Sequence, residues 1–246
     1  MRIDLNSDLG EGAGHDEEIM DLVSSANIAS GFHAGTPASI FASIISAQKH
    51  GVAIGAHPSL GERENFGRSE MQVTPAEVFA LMSYQLGAFQ ALCRAADAEM
   101  HHVKPHGALY NMSARDRGLA DAIARAVLTI EPKLIVFAPP CSALEQAARD
   151  LNLQTAAEVF ADRNYNADGS LVSRTRPDAL LRDPDAAAER VIRMLREKKV
   201  RAINGTDVPI SADTVCVHGD TPGAVDFARQ LRNRLEADGS LIAPPK

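Results

Sequence analysis

The sequence predicts an α/β fold: a seven-stranded parallel (β/α) barrel, TIM-barrel-like. Three observations predict it. Short apolar runs alternate with helical patterns about seven times along the chain. Several of those runs are apolar almost throughout, as strands buried on both faces must be. Unusual polar residues follow the strands, at the ends where α/β barrels gather their chemistry. An open doubly wound sheet is the competing architecture. The absence of a Rossmann glycine fingerprint argues against it.

Strands are expected at 2–6, 26–30, 52–56, 101–104, 133–138, 154–159 and 213–217. Thr36-Pro37 opens a helix over 37–50, where the hydroxyl caps and the proline takes the first helical position. Its Ile40, Phe41, Ile44 and Ile45 form one apolar stripe for the sheet. Thr74-Pro75 opens 75–97, and Glu77 completes a capping box. Asp183-Pro184 opens a helix over about 185–198, and Thr221-Pro222 one over 222–236. Residues 58–73 read as a long polar loop. Segments 160–182 and 199–212 could form a small hairpin, "GSLVSR" against "RAINGTDVPI", serving as a lid or partner surface. No repeat, low-complexity tract or linker interrupts the pattern, so 1–246 reads as a single barrel domain.

The chain has 246 residues, 45% of them hydrophobic, enough for a sizeable core. Its net charge is -7 and its lysines and arginines are scattered, which argues against nucleic acid as a partner. Cys93, Cys141 and Cys216 lie far apart without a C-x-x-C, and read as reduced thiols of a cytosolic protein. "MRIDLNSDLGEG" lacks the apolar region of a signal peptide, and no run is long enough to span a membrane. The expectation is a soluble, cytoplasmic protein.

The polar residues recur strand by strand. Asn6, Asp8 and Glu11 follow the first strand, and His33 follows the second in "SGFHAG". His57 ends the third in "GAHPS", and Lys104 and His106 end the fourth in "VKPHG". Glu158, Asp162, Arg163 and Tyr165 follow the sixth, and His218 and Asp220 the last. One histidine after a strand is ordinarily structural. Four, each after a different strand, would meet at one barrel mouth. Gly10, Gly31, Gly35, Gly55, Gly107 and Gly219 sit beside them, either as plain turn residues or to admit a ligand to the backbone.

Imidazole and carboxylate together suit a divalent metal that activates water, with Asp8, His33, His57 and His106 as candidate ligands. No H-E-x-x-H accompanies them, and the charge of Lys104 would repel a nearby ion. Lys104 and Arg163 could instead hold a substrate carboxylate, with histidines as general acid and base. A structural ion pair of Lys104 with a rim carboxylate competes with that role. In "HHVKPHG" alternation puts His102, Lys104 and His106 on one face, with His102 deepest as a buried supporting residue. His15 and His50 are expected at the surface. Neither a nucleophile elbow nor a P-loop is present.

The stretches "DLNSDLGEG", "NIASGFHAGTP", "GAHPS…FGR", "HVKPHGALYN", "EVFADRNYNADGSLVSR" and "VHGDTP" run in order from residue 4 to residue 222. Together they resemble the family of 5-oxoprolinase A subunits, also called LamB/YcsF. The resemblance implies a barrel similar to those of polysaccharide deacetylases and related glycoside hydrolases. It also implies ATP-dependent opening of 5-oxoproline (pyroglutamate) to L-glutamate, carried out with separate B and C subunits. The missing P-loop fits ATP held by one of those partners, or an atypical ATP site.

On this reading Asp8, His57, Lys104 and His106 are the expected catalytic residues. Asn6, Glu11, His33, Glu158, Arg163, His218 and Asp220 are the expected substrate contacts. Ser7, Ser30, Thr36, Leu60, Asn65 and Ser69 depart from residues frequent in the family. Thr36 keeps the ability to cap, so the aspartate it replaces was a cap rather than a catalyst. A stand-alone metal-dependent deacetylase or amidohydrolase is the alternative function, and a non-catalytic scaffold the third. Self-association stays open.

Overall fold

Seven parallel strands close on themselves in the computed structural model, which describes residues 1–61, 63–173, 175–217 and 223–246. The strands are β1 (Arg2–Leu9), β2 (Ser25–Ala29), β3 (Ala53–His57), β4 (Met100–Val103), β5 (Ile135–Ala138), β6 (Thr155–Phe160) and β9 (Thr214–Cys216). Closure comes from β9, which pairs with β6 through Glu158 and Thr214 and with β1 through Asp4 and Thr214. The helices α1 (Asp16–Met20), α2 (Pro37–His50), α3 (Pro75–Ala95), α4 (Gly107–Arg115), α5 (Arg117–Ile130), α6 (Ala143–Asp150), α7 (Pro184–Glu197) and α8 (Ala224–Ala237) complete the crossovers. A last short strand, β10 (Leu241–Ile242), adds to β1 in parallel.

Strand alternation sorts the chain into two environments. Leu5, Ile28, Ala56, Val103, Val136, Val159 and Val215 join the apolar layer under the helices. The opposite face, inside the barrel, carries Asp4, Asn6, Asn27, His102, Glu158 and Thr214, all buried. A small apolar cluster of Ile135, Phe137 and Ala156 lies on the same face.

The local signals for helices hold. Thr36 and Thr74 each accept the backbone N–H three residues on, and both capping boxes are formed. The Asp183 carboxylate caps α7. The Thr221-Pro222 opening lies outside the described residues.

One expectation fails. Among the described residues, "GSLVSR" does not pair with "RAINGTDVPI". The latter folds on itself, as β7 (Lys199–Arg201) against antiparallel β8 (Asp207–Pro209). Its own Asn204-Gly205 makes the turn, with Gly205 at φ +83, and Asn-Gly is a strong local hairpin signal. Leu171 instead bridges Tyr165, and the two segments meet where the Ile203 N–H donates to the Tyr165 carbonyl at 2.9 Å. Among the described residues, no helix is long and apolar enough to cross a membrane.

Candidate active site

The C-terminal ends of β1 to β4 bring four side chains together. One ligand atom from each of Glu11, His33, His57 and His106 lies within 4.8 Å of the others. His33 Nε2 is 2.9 Å from Glu11 Oε1. The His33 and His106 rings stack face to face, with centroids 3.8 Å apart. Burial, then the charge of His57, lowers the His33 pKa to about 3 and that of His106 to about 2. Both rings are therefore neutral near pH 7.

Two backbone carbonyls set the tautomers. His57 Nδ1 lies 2.7 Å from the Lys104 carbonyl, so it carries a hydrogen and donates it. His106 Nε2 donates in the same way to the Phe66 carbonyl at 2.8 Å. The remaining nitrogens, His57 Nε2 and His106 Nδ1, face each other at 2.9 Å. In neutral rings both carry lone pairs. Only a cation between them, a proton or a metal ion, makes that approach attractive. Carbonyl-held imidazoles aiming free nitrogens at one point are also the usual outer support of a metal site. The donor set of three imidazoles and one carboxylate fits a divalent ion of the zinc type.

Phe66 roofs this cluster. It adopts φ +56, uncommon for a bulky residue, and its ring edges meet His33 and His106 at 5.3 and 5.4 Å. Gly107 lets the loop close: at φ +56, a Cβ there would stand 2.5 Å from the Gly67 carbonyl oxygen. The Ala108 N–H donates to that same oxygen.

Lys104 lies deeper, and its ammonium is surrounded. Asp8 Oδ1 is at 2.9 Å, Glu158 Oε1 at 2.8 Å, Cys216 Sγ at 3.2 Å and Asn6 Oδ1 at 3.3 Å. Burial disfavours its charge, but Asp8 and Glu158 more than reverse that and hold its pKa well above the usual lysine value. Burial pushes the Cys216 thiol up, so it is neutral. Asp8 thus bonds inward through Oδ1, while its Oδ2 is 3.4 Å from His57 Nε2.

A family model described as LamB/YcsF matches residues 3–246. The chain belongs to the LamB/YcsF family. It is 52% identical over 245 residues to the A subunit of a 5-oxoprolinase from Shouchella clausii, covering 98% of this chain and 97% of that one. The crystal structure of a lactam utilization protein from Thermus thermophilus superposes with TM-score 0.94 at 44% identity, over the whole of both chains. A family 4 carbohydrate esterase from Streptomyces lividans superposes with TM-score 0.52 at 12% identity, over 99% and 98% of the two chains, which shows a shared barrel and no more.

Within this LamB/YcsF barrel, sequence reasoning puts Asp8 in the metal set and Glu11 among substrate contacts. The structure puts Glu11 in the four-residue donor set and leaves Asp8 beside it. The loop after β1 bends through Gly10 and Gly12, both at positive φ, and carries Glu11 back over the mouth. Asn6, His33, Glu158 and Lys104 do gather with the cluster or just beneath it. The Lys104 neighbours match the ion-pair reading, since its donors already face protein acceptors. Arg163 donates to the Val172 carbonyl at 2.6 Å, within the 160–182 excursion. His218 and Asp220 lie outside the described residues.

Three of the departures from the LamB/YcsF pattern have local explanations. Ser7 bonds the Val217 carbonyl, Ser30 accepts from the His57 N–H, and Leu60 is fully buried. Asn27 and Phe66 escape sequence reasoning. Neither is a histidine or a charged residue, and Asn27 sits mid-strand; the positive φ of Phe66 has no sequence signal.

Proposed function

We propose that this chain is the A component of an ATP-dependent 5-oxoprolinase, opening the lactam of 5-oxo-L-proline to L-glutamate in the cytoplasm with partner subunits B and C. ATP is the cosubstrate and is held by the partners. The names carried by relatives at about 50% identity support the substrate. The observation that carries a hydrolytic role is the pair of facing nitrogens on His57 and His106 beside Glu11 and His33.

Glu11, His33, His57 and His106 would hold a divalent ion, which supplies carbonyl polarisation and an acidified water when bound. Asp8 Oδ2 faces that cluster and is placed to accept a proton from the attacking water. Lys104 pairs with Asp8 through Oδ1, and Oδ2 stands on the side of the cluster. Phe66 and its loop exclude bulk water from the mouth.

The test is ATP-dependent glutamate release by the chain mixed with B and C partners, with metal content measured on the same sample. Glutamate release that His106→Ala abolishes while the fold is kept supports the reading. No release in the complete mixture, or full activity of His106→Ala, sinks it. Because all four donors come from one chain, a second reading is a stand-alone metal-dependent amidohydrolase. Turnover of simple amides or acetylated sugars by the metal-loaded chain alone would select it.

A further inference from the structure

Four residues stand side by side around the barrel. Asp8 on β1 is the register partner of Asn27 on β2, Asn27 of Gly55 on β3, and Gly55 of His102 on β4. Register partners on parallel strands turn to the same face, here the barrel interior. The third of them has no side chain. Through that gap His102 reaches across β3, and its Nε2 lies 2.9 Å from Asn27 Oδ1. A Cβ on Gly55 would stand 2.0 Å from His102 Nε2. On its other side the His102 ring stacks on Phe137, centroids 4.2 Å apart and planes 8° from parallel.

Asn27 is fully buried, and both ends of its amide are hydrogen-bonded. Its two N–H groups go to Asn6 Oδ1 at 2.7 Å and Asp8 Oδ1 at 2.8 Å, and its oxygen accepts from His102. The opposite amide orientation would set oxygen against the Asp8 carboxylate and against Asn6 Oδ1, so the neighbours dictate which end donates. Lys104 also donates to Asp8 Oδ1, but it is a point charge on a flexible stem, shared with Glu158. It meets Asp8 as a counter-charge. Asn27, planar and held at three points, fixes the plane of the carboxylate.

We propose that Asn27, locked by His102 through the gap at Gly55, is the positioning residue that turns Asp8 so that Oδ2 faces the histidine cluster. The proposal rests on the reading of Asp8 as the proton acceptor of a hydrolytic step. It predicts a strand-skipping relay of orientation, His102 to Asn27 to Asp8, in which no member but Asp8 meets substrate.

The test compares His102→Gln, His102→Leu and Asn27→Ala in the full chain assembled with its partner subunits. Glutamine can present an N–H where His102 Nε2 does, and leucine cannot. Expected are a fall in kcat of at least tenfold for His102→Leu and Asn27→Ala, KM within about threefold, and recovery of most of kcat in His102→Gln. Equal losses in His102→Gln and His102→Leu, or a KM change that accounts for the loss, overturn the proposal. High-resolution crystal structures of the wild type and His102→Leu give a readout independent of activity. A rotated or split Asp8 carboxylate in the variant supports the positioning role even if the wild-type assembly releases no glutamate. An Asp8 carboxylate unchanged from the wild type overturns it.

Discussion

Adding one methyl group at Gly55 should destabilise the protein severely, although Gly55 does not have the positive φ that favours glycine. The added Cβ would lie 2.0, 2.2 and 2.5 Å from Nε2, Cδ2 and Cε1 of His102. The ring cannot retreat cheaply, because it is fully buried and lies on Phe137. Forcing atoms into a filled interior costs about 1–3 kcal/mol. Displacing the ring also leaves the buried Asn27 oxygen without its donor, at about 1–3 kcal/mol more. The sum, about 2–6 kcal/mol, corresponds to a Tm loss of roughly 5–20 °C for a chain of this size. The control is Gly87→Ala in the middle of α3, where a Cβ meets nothing within 4 Å. There the same change should stabilise by about 0.5–1 kcal/mol through helix propensity. Thermal unfolding of the two variants beside wild type should therefore show shifts of opposite sign. A Gly55→Ala variant that melts within about 2 °C of wild type would mean the ring moves aside at little cost, since that is less than 1 kcal/mol.

Two further outcomes follow from the buried charges. Asp4 is buried at 1% exposure and accepts hydrogen bonds from Ser24, Ser25 and Thr214, yet burial, the largest influence, raises its pKa from 3.8 to about 6. A raised carboxyl favours the fold below its unfolded pKa, and that contribution is lost as pH rises through about 6. The loss is on the order of 3 kcal/mol, so Asp4→Asn should gain about that much relative to wild type between pH 4 and pH 8; denaturant titrations at both pH values that show a constant difference would contradict it. At the histidine cluster the facing nitrogens of His57 and His106 predict a metal site. Calorimetric titration with zinc should show one ion bound per chain in the wild type and binding at least about tenfold weaker in His106→Ala; equal binding by the two would remove the argument from facing lone pairs.

Much of the architecture is legible in the sequence because its causes are local. The Thr36 and Thr74 caps, the prolines after them and the apolar strand runs act within a few residues, and the elements appear there. The convergence of His33, His57 and His106 is legible too, since strand ends of a barrel meet wherever the helices lie. The hairpin departs from expectation because a turn signal inside one segment, Asn204-Gly205, outweighs pairing between distant segments. The place of Glu11 is not legible, because the path of the loop after β1 depends on what it packs against.

The barrel, the order of its elements and the polar rim all follow from signals local in the sequence. Tertiary structure decided which carboxylate joins the three histidines, which imidazole nitrogens are free, and why Gly55 lacks a side chain. The physical reason is register. Asp8, Asn27, Gly55 and His102 are separated by 19, 28 and 47 positions in the chain, yet they are immediate neighbours once four strands align. Carbonyls of Lys104 and Phe66 choose tautomers only after loops from different strands have closed over the mouth.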